Sequence, residues 1–314
     1  MFALRGVAVS LSVYVLVYLS LCLVIVATWR VLARRRSLVF QVSATGIFAL
    51  RLFPVVVAGG VTLGLAVPSF LLLEPHSARE AIGWVPFFLG LSCLALIATG
   101  VLNVTSALMR TSRIVSSWMK HATAVVNAPV PMFQTENADA PLVLAGIHAP
   151  KVIVSGTAAA ALNENELQVA IRHEIAHIRH RDNLKKLLLR FCAFPGMKAL
   201  DAAWSEAAEL CADNQAVAST VDALELASAL IKLSRLAPAA VLPGLTTPLA
   251  DGSAASLNTR VERLISWDKP GETTRYSRTF WMSMAAIVSV LVTIVVSYGT
   301  LLKQIHELTE FMVR

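Results

Sequence analysis

Two histidines four residues apart bracket a glutamate in the run His173-Glu174-Ile175-Ala176-His177. On a helix that spacing carries both imidazoles on one face, one turn apart. Two nitrogen donors on adjacent turns of one rigid element suit a tetrahedral Zn²⁺. Glu174, beside the first donor, is placed to take a proton from an attacking water and return it to a leaving amine. A catalytic zinc takes a third protein ligand and keeps one position open. Residues 204–213 offer candidates for it. Glu209 and Asp213 are four apart and share a face, so Glu209 is the expected ligand. Asp213 is then the expected acceptor that fixes a ligand imidazole's tautomer. Glu206, one turn before Glu209, is the alternative ligand, without a carboxylate one turn on. The bland reading makes His173 and His177 surface histidines among Arg172, Arg179, His180 and Arg181. The paired acids on the following helix weigh against it.

The elements that must hold these residues can be read on either side of them. Asn163 followed by Glu166 is a capping-box signature, and the helix it opens is expected to run to about Arg190, before Pro195-Gly196. Further helices are expected over 197–218 and 221–236, ahead of Pro238 and Pro243. Upstream, 124–127 and 151–155 are β-rich stretches among Pro129, Pro131, Asn137, Pro141, Gly146 and Pro150. Strands followed by helices indicate an α+β domain over 110–278.

The rest of the chain is of another kind. Overall, 56% of residues are hydrophobic and only 15% charged, with a mean hydropathy of +0.66. Stretches 7–29, 52–73, 84–109 and 280–302 are each long enough to cross a bilayer. Pro54, Gly59, Gly60, Gly64 and Pro68 predict a kink in the second. The loop holding Arg30, Arg34, Arg35, Arg36 and Arg51 is cationic, and the loop 74–80 is short and acidic. Arg110, Arg113 and Lys120 flank the polar block on one side, and Lys269, Arg275 and Arg278 on the other. The positive-inside rule then puts that block in the cytosol and both termini outside a cell (inner) membrane crossed several times. The net charge is +7, but 110–278 hold 18 Lys/Arg against 16 Asp/Glu. That is topology control, and no nucleic-acid surface is expected. Cys22, Cys93, Cys192 and Cys211 form no CxxC pair or disulfide pattern, and Cys211 reads as a packing residue.

The stretch 173–182, His-Glu-Ile-Ala-His-Ile-Arg-His-Arg-Asp, with Glu-Leu-Cys-Ala-Asp at 209–213, resembles the M56 family of membrane metallopeptidases. The resemblance implies a four-helix transmembrane protein with an α+β zincin-like (gluzincin) domain inserted between helices 3 and 4. It implies one catalytic Zn²⁺ and a protein or peptide substrate, with a cytosolic repressor as an example from the family's β-lactam-sensing transducers. Arg260, in Arg260-Val261-Glu262-Arg263-Leu264, looks like the family's arginine before the last span, implying a substrate or oxyanion contact. A zincin holds its substrate as an added strand on a sheet edge, and Lys151, Val152, Ile153, Val154 and Ser155 are the expected edge. The sensor transducers continue into a penicillin-binding domain. The 11 residues after Lys303 carry none, so β-lactam sensing is not expected of them. Related M48 peptidases of the four-span kind often place two spans between the histidines and the glutamate. Here 178–208 are too charged for that.

The function expected is a membrane zinc endopeptidase in regulated proteolysis or signalling. The alternative is a non-catalytic zinc-binding transducer or scaffold, for which four protein ligands and no open position would speak. Intramembrane proteolysis is disfavoured because Glu164, Glu166, Arg172, Arg181 and Lys186 would each cost several kcal/mol at mid-bilayer. His148 could line the cleft but reads first as a surface residue, and His76 and His121 are assigned nothing. Oligomeric state is not legible in the sequence.

Overall fold

The computed structural model describes residues 2–33, 43–74, 83–125, 128–136, 138, 141–192, 194, 196–236, 246–248, 254–267 and 297–313. The first helix, α1, spans Phe2–Ala33. Helix α2, Ala44–Val61, passes through a π-helical turn at Thr62–Ala66 into α3, Val67–Leu73. Helix α4 runs unbroken from Trp84 to Met119. Among the described residues, Phe2–Leu32, Ala44–Leu73 and Trp84–Met119 are long and apolar enough to cross a membrane. Pro54 lies inside α2 without ending it, and the irregularity begins about two turns further on. Pro68 has no N–H to offer the carbonyl of Gly64 four residues back. The Tyr298 hydroxyl donates to that carbonyl at 2.8 Å.

The second half is a mixed sheet packed with helices. Strands β1 (Thr123–Ala124), β2 (Met132–Thr135), β3 (Leu142–Ala145) and β4 (Lys151–Ser155) precede helices α5 (Gly156–Ala161), α6 (Glu164–His180), α7 (Asp182–Phe191), α8 (Lys198–Ala216) and α9 (Thr220–Leu236). Strand β5 (Thr246–Pro248) and helices α10 (Ala254–Ile265) and α11 (Tyr298–Val313) complete the described elements. Most of the expected fourth span, 280–302, lies outside the described residues. By its contacts the chain divides into two compact units. One comprises Met1–Arg34, Leu50–Thr99 and Gly271–Arg314, and the other Arg35–Ala49 and Gly100–Pro270.

The sheet order is β1-β2-β4-β3-β5. This corrects one expectation. Lys151–Ser155 is the middle strand, parallel to β2 on one side and antiparallel to β3 on the other, so no edge is left for an added strand. Its composition shows why. Val152, Ile153, Val154 and Ser155 are all buried, so both faces are covered and alternation is absent. The outer edge of β3 pairs with β5, Leu144 opposite Thr247. One sheet face, with Leu142, Leu144, Val152 and Val154, packs with Val169 and Ala170 of α6 and Leu226, Leu230 and Leu233 of α9. The other carries Val143, Ala145 and Ile153 against Trp118 of α4. Helix α6 is thus backed by the main core, and its ligand face can be held rigidly.

Candidate metal centre

The capping box at the start of α6 is fully formed. Asn163 Oδ1 accepts from the Glu166 N–H at 2.8 Å, and Glu166 Oε2 accepts from the Asn163 N–H at 2.8 Å. Lys232 and Ser228 of α9 bond the same glutamate at 2.7 and 2.6 Å, so the start of α6 is fixed to its neighbour. The far end departs from the expected single helix to Arg190. Arg181 takes the left-handed conformation (φ +53°), ending α6 and starting α7. Asp182 is five residues beyond His177, and an unbroken helix would turn it well away. The break brings its carboxylate to His177 Nδ1, at 2.7 Å.

His173 and His177 are buried, at 0% and 1% exposure, and their Nε2 atoms face each other at 3.1 Å. Glu209 of α8 closes the third side, with its oxygens 3.4 Å from His173 Nε2 and 3.5 Å from His177 Nε2. Ligand atoms on a tetrahedral zinc with bonds of about 2.1 Å stand about 3.4 Å apart, so the three side chains fit the ion. Each imidazole is held from behind. The Asp213 carboxylate stands 2.9 Å from His173 Nδ1, and Asp182 accepts from His177 Nδ1 at 2.7 Å. Both Nε2 atoms are thereby turned inward as donors for a cation. Two cations steady these aspartates. Lys185 Nζ reaches Asp182 at 3.1 Å, and Arg260 of α10 binds Asp213 through Nε at 2.8 Å and Nη2 at 2.7 Å.

Arg260 also places Nη1 3.1 Å from Glu209 Oε2. Its side chain is 1% exposed and all three nitrogens bind carboxylates. The guanidinium expected to contact substrate or oxyanion pairs here with the carboxylates of Glu209 and Asp213, where it balances their charge. Glu174 is fully buried, and among the described residues neither of its carboxylate oxygens has a hydrogen-bond partner. Burial pushes its pKa up to about 7, against the pull of the two histidines. Burial would lower the His177 pKa, yet the Glu209 charge and the Asp182 hydrogen bond raise it to about 10. For Glu209, burial is outweighed by the charges of His177 and Arg260, which hold it well below the usual carboxylate range. The cluster is a place that attracts positive charge.

Glu206, the alternative ligand, is half-buried and stands apart from this trio. It lines a different cavity, with Ile47, Leu210 and Arg263. His148 is exposed and lines a cavity of about 380 Å³ that also touches His177 and Asp182. Sequence reasoning missed Asp182 and Lys185. The available signal was an acid close behind the motif, but only the break at Arg181 gives it a role.

No curated protein matches the chain. A family model described as BlaR1 peptidase M56 matches residues 69–265, a stretch that includes every side chain of the centre. With more than half of its length matched in this way, the chain belongs to the M56 peptidase family.

Proposed function

We propose that the chain is a membrane-embedded zinc endopeptidase that cleaves a protein substrate at a cytosol-facing site, in regulated proteolysis or signalling. The observation that carries the reading is the His173, His177 and Glu209 trio, spaced as a tetrahedral ion requires, beside a buried glutamate with no hydrogen-bond partner among the described residues. Three protein ligands leave the fourth position for water or substrate, the arrangement of catalytic sites. When bound, zinc polarises the scissile carbonyl and makes water more acidic.

The chain's own residues do the rest. His173 and His177 present Nε2 because the carboxylates of Asp213 and Asp182 stand at their Nδ1 atoms. Arg260 keeps Glu209 and Asp213 ionised without reaching the substrate. Glu174, with a pKa near neutrality, takes the proton from the attacking water and passes it to the departing amine. A substrate entering as a strand cannot pair with β4. The β3 edge is open to it only if β5 gives way. The alternating basic and acidic loops support a multi-pass arrangement with both termini outside.

The purified chain should hold one zinc, and chelation should end cleavage. His173→Ala, His177→Ala and Glu209→Ala should each lose the metal while Glu206→Ala keeps it. Retention of zinc by Glu209→Ala would refute the ligand set.

A further inference from the structure

Helix α7 carries an apolar stripe to the flank of a helix long and apolar enough to cross a membrane. Leu184, Leu187, Leu188 and Phe191 follow the i, i+3, i+4, i+7 spacing and share one face, while Lys186 and Arg190 stand off it. Leu188 and Phe191 are 39% and 40% exposed, so the end of that stripe is open. Phe191 lies against α4 at Gly100, where a Cβ would run into the Phe191 carbonyl and ring. This close approach requires glycine. Gly100 belongs to the apolar stretch Trp84–Met119, and Val101, Leu102, Leu108 and Met109 beyond it are exposed as well. Arg110 is the first charged residue of α4, ten positions or about 15 Å along the helix from Gly100. The tip of α7 therefore reaches past the first charge of α4, to a level whose side chains suit lipid.

Two arginines meet where these helices join. Arg190 of α7 is half-buried, and its pKa is lowered by burial first and by the charge of Arg110 second. Among the described residues neither guanidinium pairs with a carboxylate, whereas Arg172, Lys185, Lys232 and Arg260 each do. Like charges drawn together at a half-buried place call for an anion between them. We infer that Arg110 and Arg190 hold the phosphate of an anionic phospholipid, whose acyl chains lie over Leu188, Phe191 and the exposed apolar face of α4. The guanidinium fork matches phosphate oxygens, and basic side chains beside a membrane span attract anionic headgroups. A free phosphate would leave Leu188 and Phe191 in water. A zwitterionic headgroup brings an ammonium that both arginines repel. Helix α7 begins at Asp182, so the lipid braces the element that supplies the acceptor of His177. The inference rests on the membrane-embedded part of the proposed function and is independent of peptide cleavage.

The test uses the full chain in mild detergent, titrated with phosphatidylglycerol, phosphatidylcholine or inorganic phosphate and read by native mass spectrometry. One phosphatidylglycerol should bind about tenfold more tightly than phosphatidylcholine, and excess inorganic phosphate should not displace it. Arg110→Gln and Arg190→Gln should each cut the phosphatidylglycerol affinity about fivefold, the scale of one arginine at an anionic surface. Arg190→Lys keeps the charge and should keep the preference. Lys120→Gln, the same loss of charge just beyond the far end of α4, should leave it unchanged, with zinc content equal in every form. Equal affinity for the two lipids overturns the site, as does an unchanged preference when both arginines are replaced by Gln. Displacement by inorganic phosphate, or loss of the preference in Lys120→Gln, overturns it too. If the preference holds but the zinc-loaded chain cuts no peptide, the peptidase reading fails and the lipid site stands.

Discussion

Asp182 holds His177 across a helix break: its carboxylate accepts from Nδ1 at 2.7 Å because Arg181, one residue earlier, turns left-handed. Replacing it tests whether the break serves the metal. Asp182→Ala should weaken zinc binding about 10–100-fold, the usual loss when a ligand imidazole loses its supporting acceptor. Asp182→Asn keeps an acceptor oxygen and should lose less. Titration against a competing chelator gives both values.

The break itself has a backbone signature. Arg181→Gly should be tolerated, since glycine enters the left-handed region freely, while Arg181→Val should destabilise by about 1–2 kcal/mol. Thermal unfolding of the two variants in one detergent orders them. Val equal to Gly would remove the backbone explanation.

Arg260 separates charge balance from substrate contact. Removing it as Arg260→Met leaves Asp213 and Glu209 buried without their cation, a loss of about 3–5 kcal/mol. Arg260→Lys should recover only part, because an ammonium cannot span both carboxylates as the planar fork does. The readouts are the unfolding midpoint and zinc retention. A normal midpoint with a raised KM would instead favour a substrate role.

The pH dependence follows from two raised pKa values. His177 in the metal-free chain has a pKa near 10, so at pH 7 it carries a proton that zinc must expel. Zinc affinity should therefore rise with pH, and binding at pH 7 should release protons, seen as a buffer-dependent binding enthalpy. In the metal-free fold the charged His177 stabilises fully below its unfolded pKa near 6.5, and this is lost as pH rises through about 10. Glu174 must be ionised to accept a proton, and a bound cation favours that form. The acid limb of kcat/KM should then fall at or below pH 7.

What the sequence could reveal was whatever depends on local spacing. The His173–His177 pair, the Glu209–Asp213 pair and the Asn163–Glu166 box are each three or four residues apart, and helical geometry alone brings them together. Asp182 was hidden because the helical period assigns it to another face until the chain breaks at Arg181. Lys151–Ser155 was misplaced at an edge because strand order is set by packing partners distant in sequence. Only its unbroken apolar run hinted at the middle. Arg260 lies 47 residues from Asp213, and no local pattern signals that the two meet.

The central claim is that Glu174 takes the proton for hydrolysis at a zinc held by His173, His177 and Glu209. The direct measurement compares the full chain with its Glu174→Gln form in lipid nanodiscs, at equal zinc content, on a mixture of fluorogenic peptides. The wild-type chain should cleave, and Glu174→Gln should lower kcat/KM by about 100-fold to 10,000-fold with one zinc retained. Equal cleavage by both forms, or none by the zinc-loaded wild type, would contradict it.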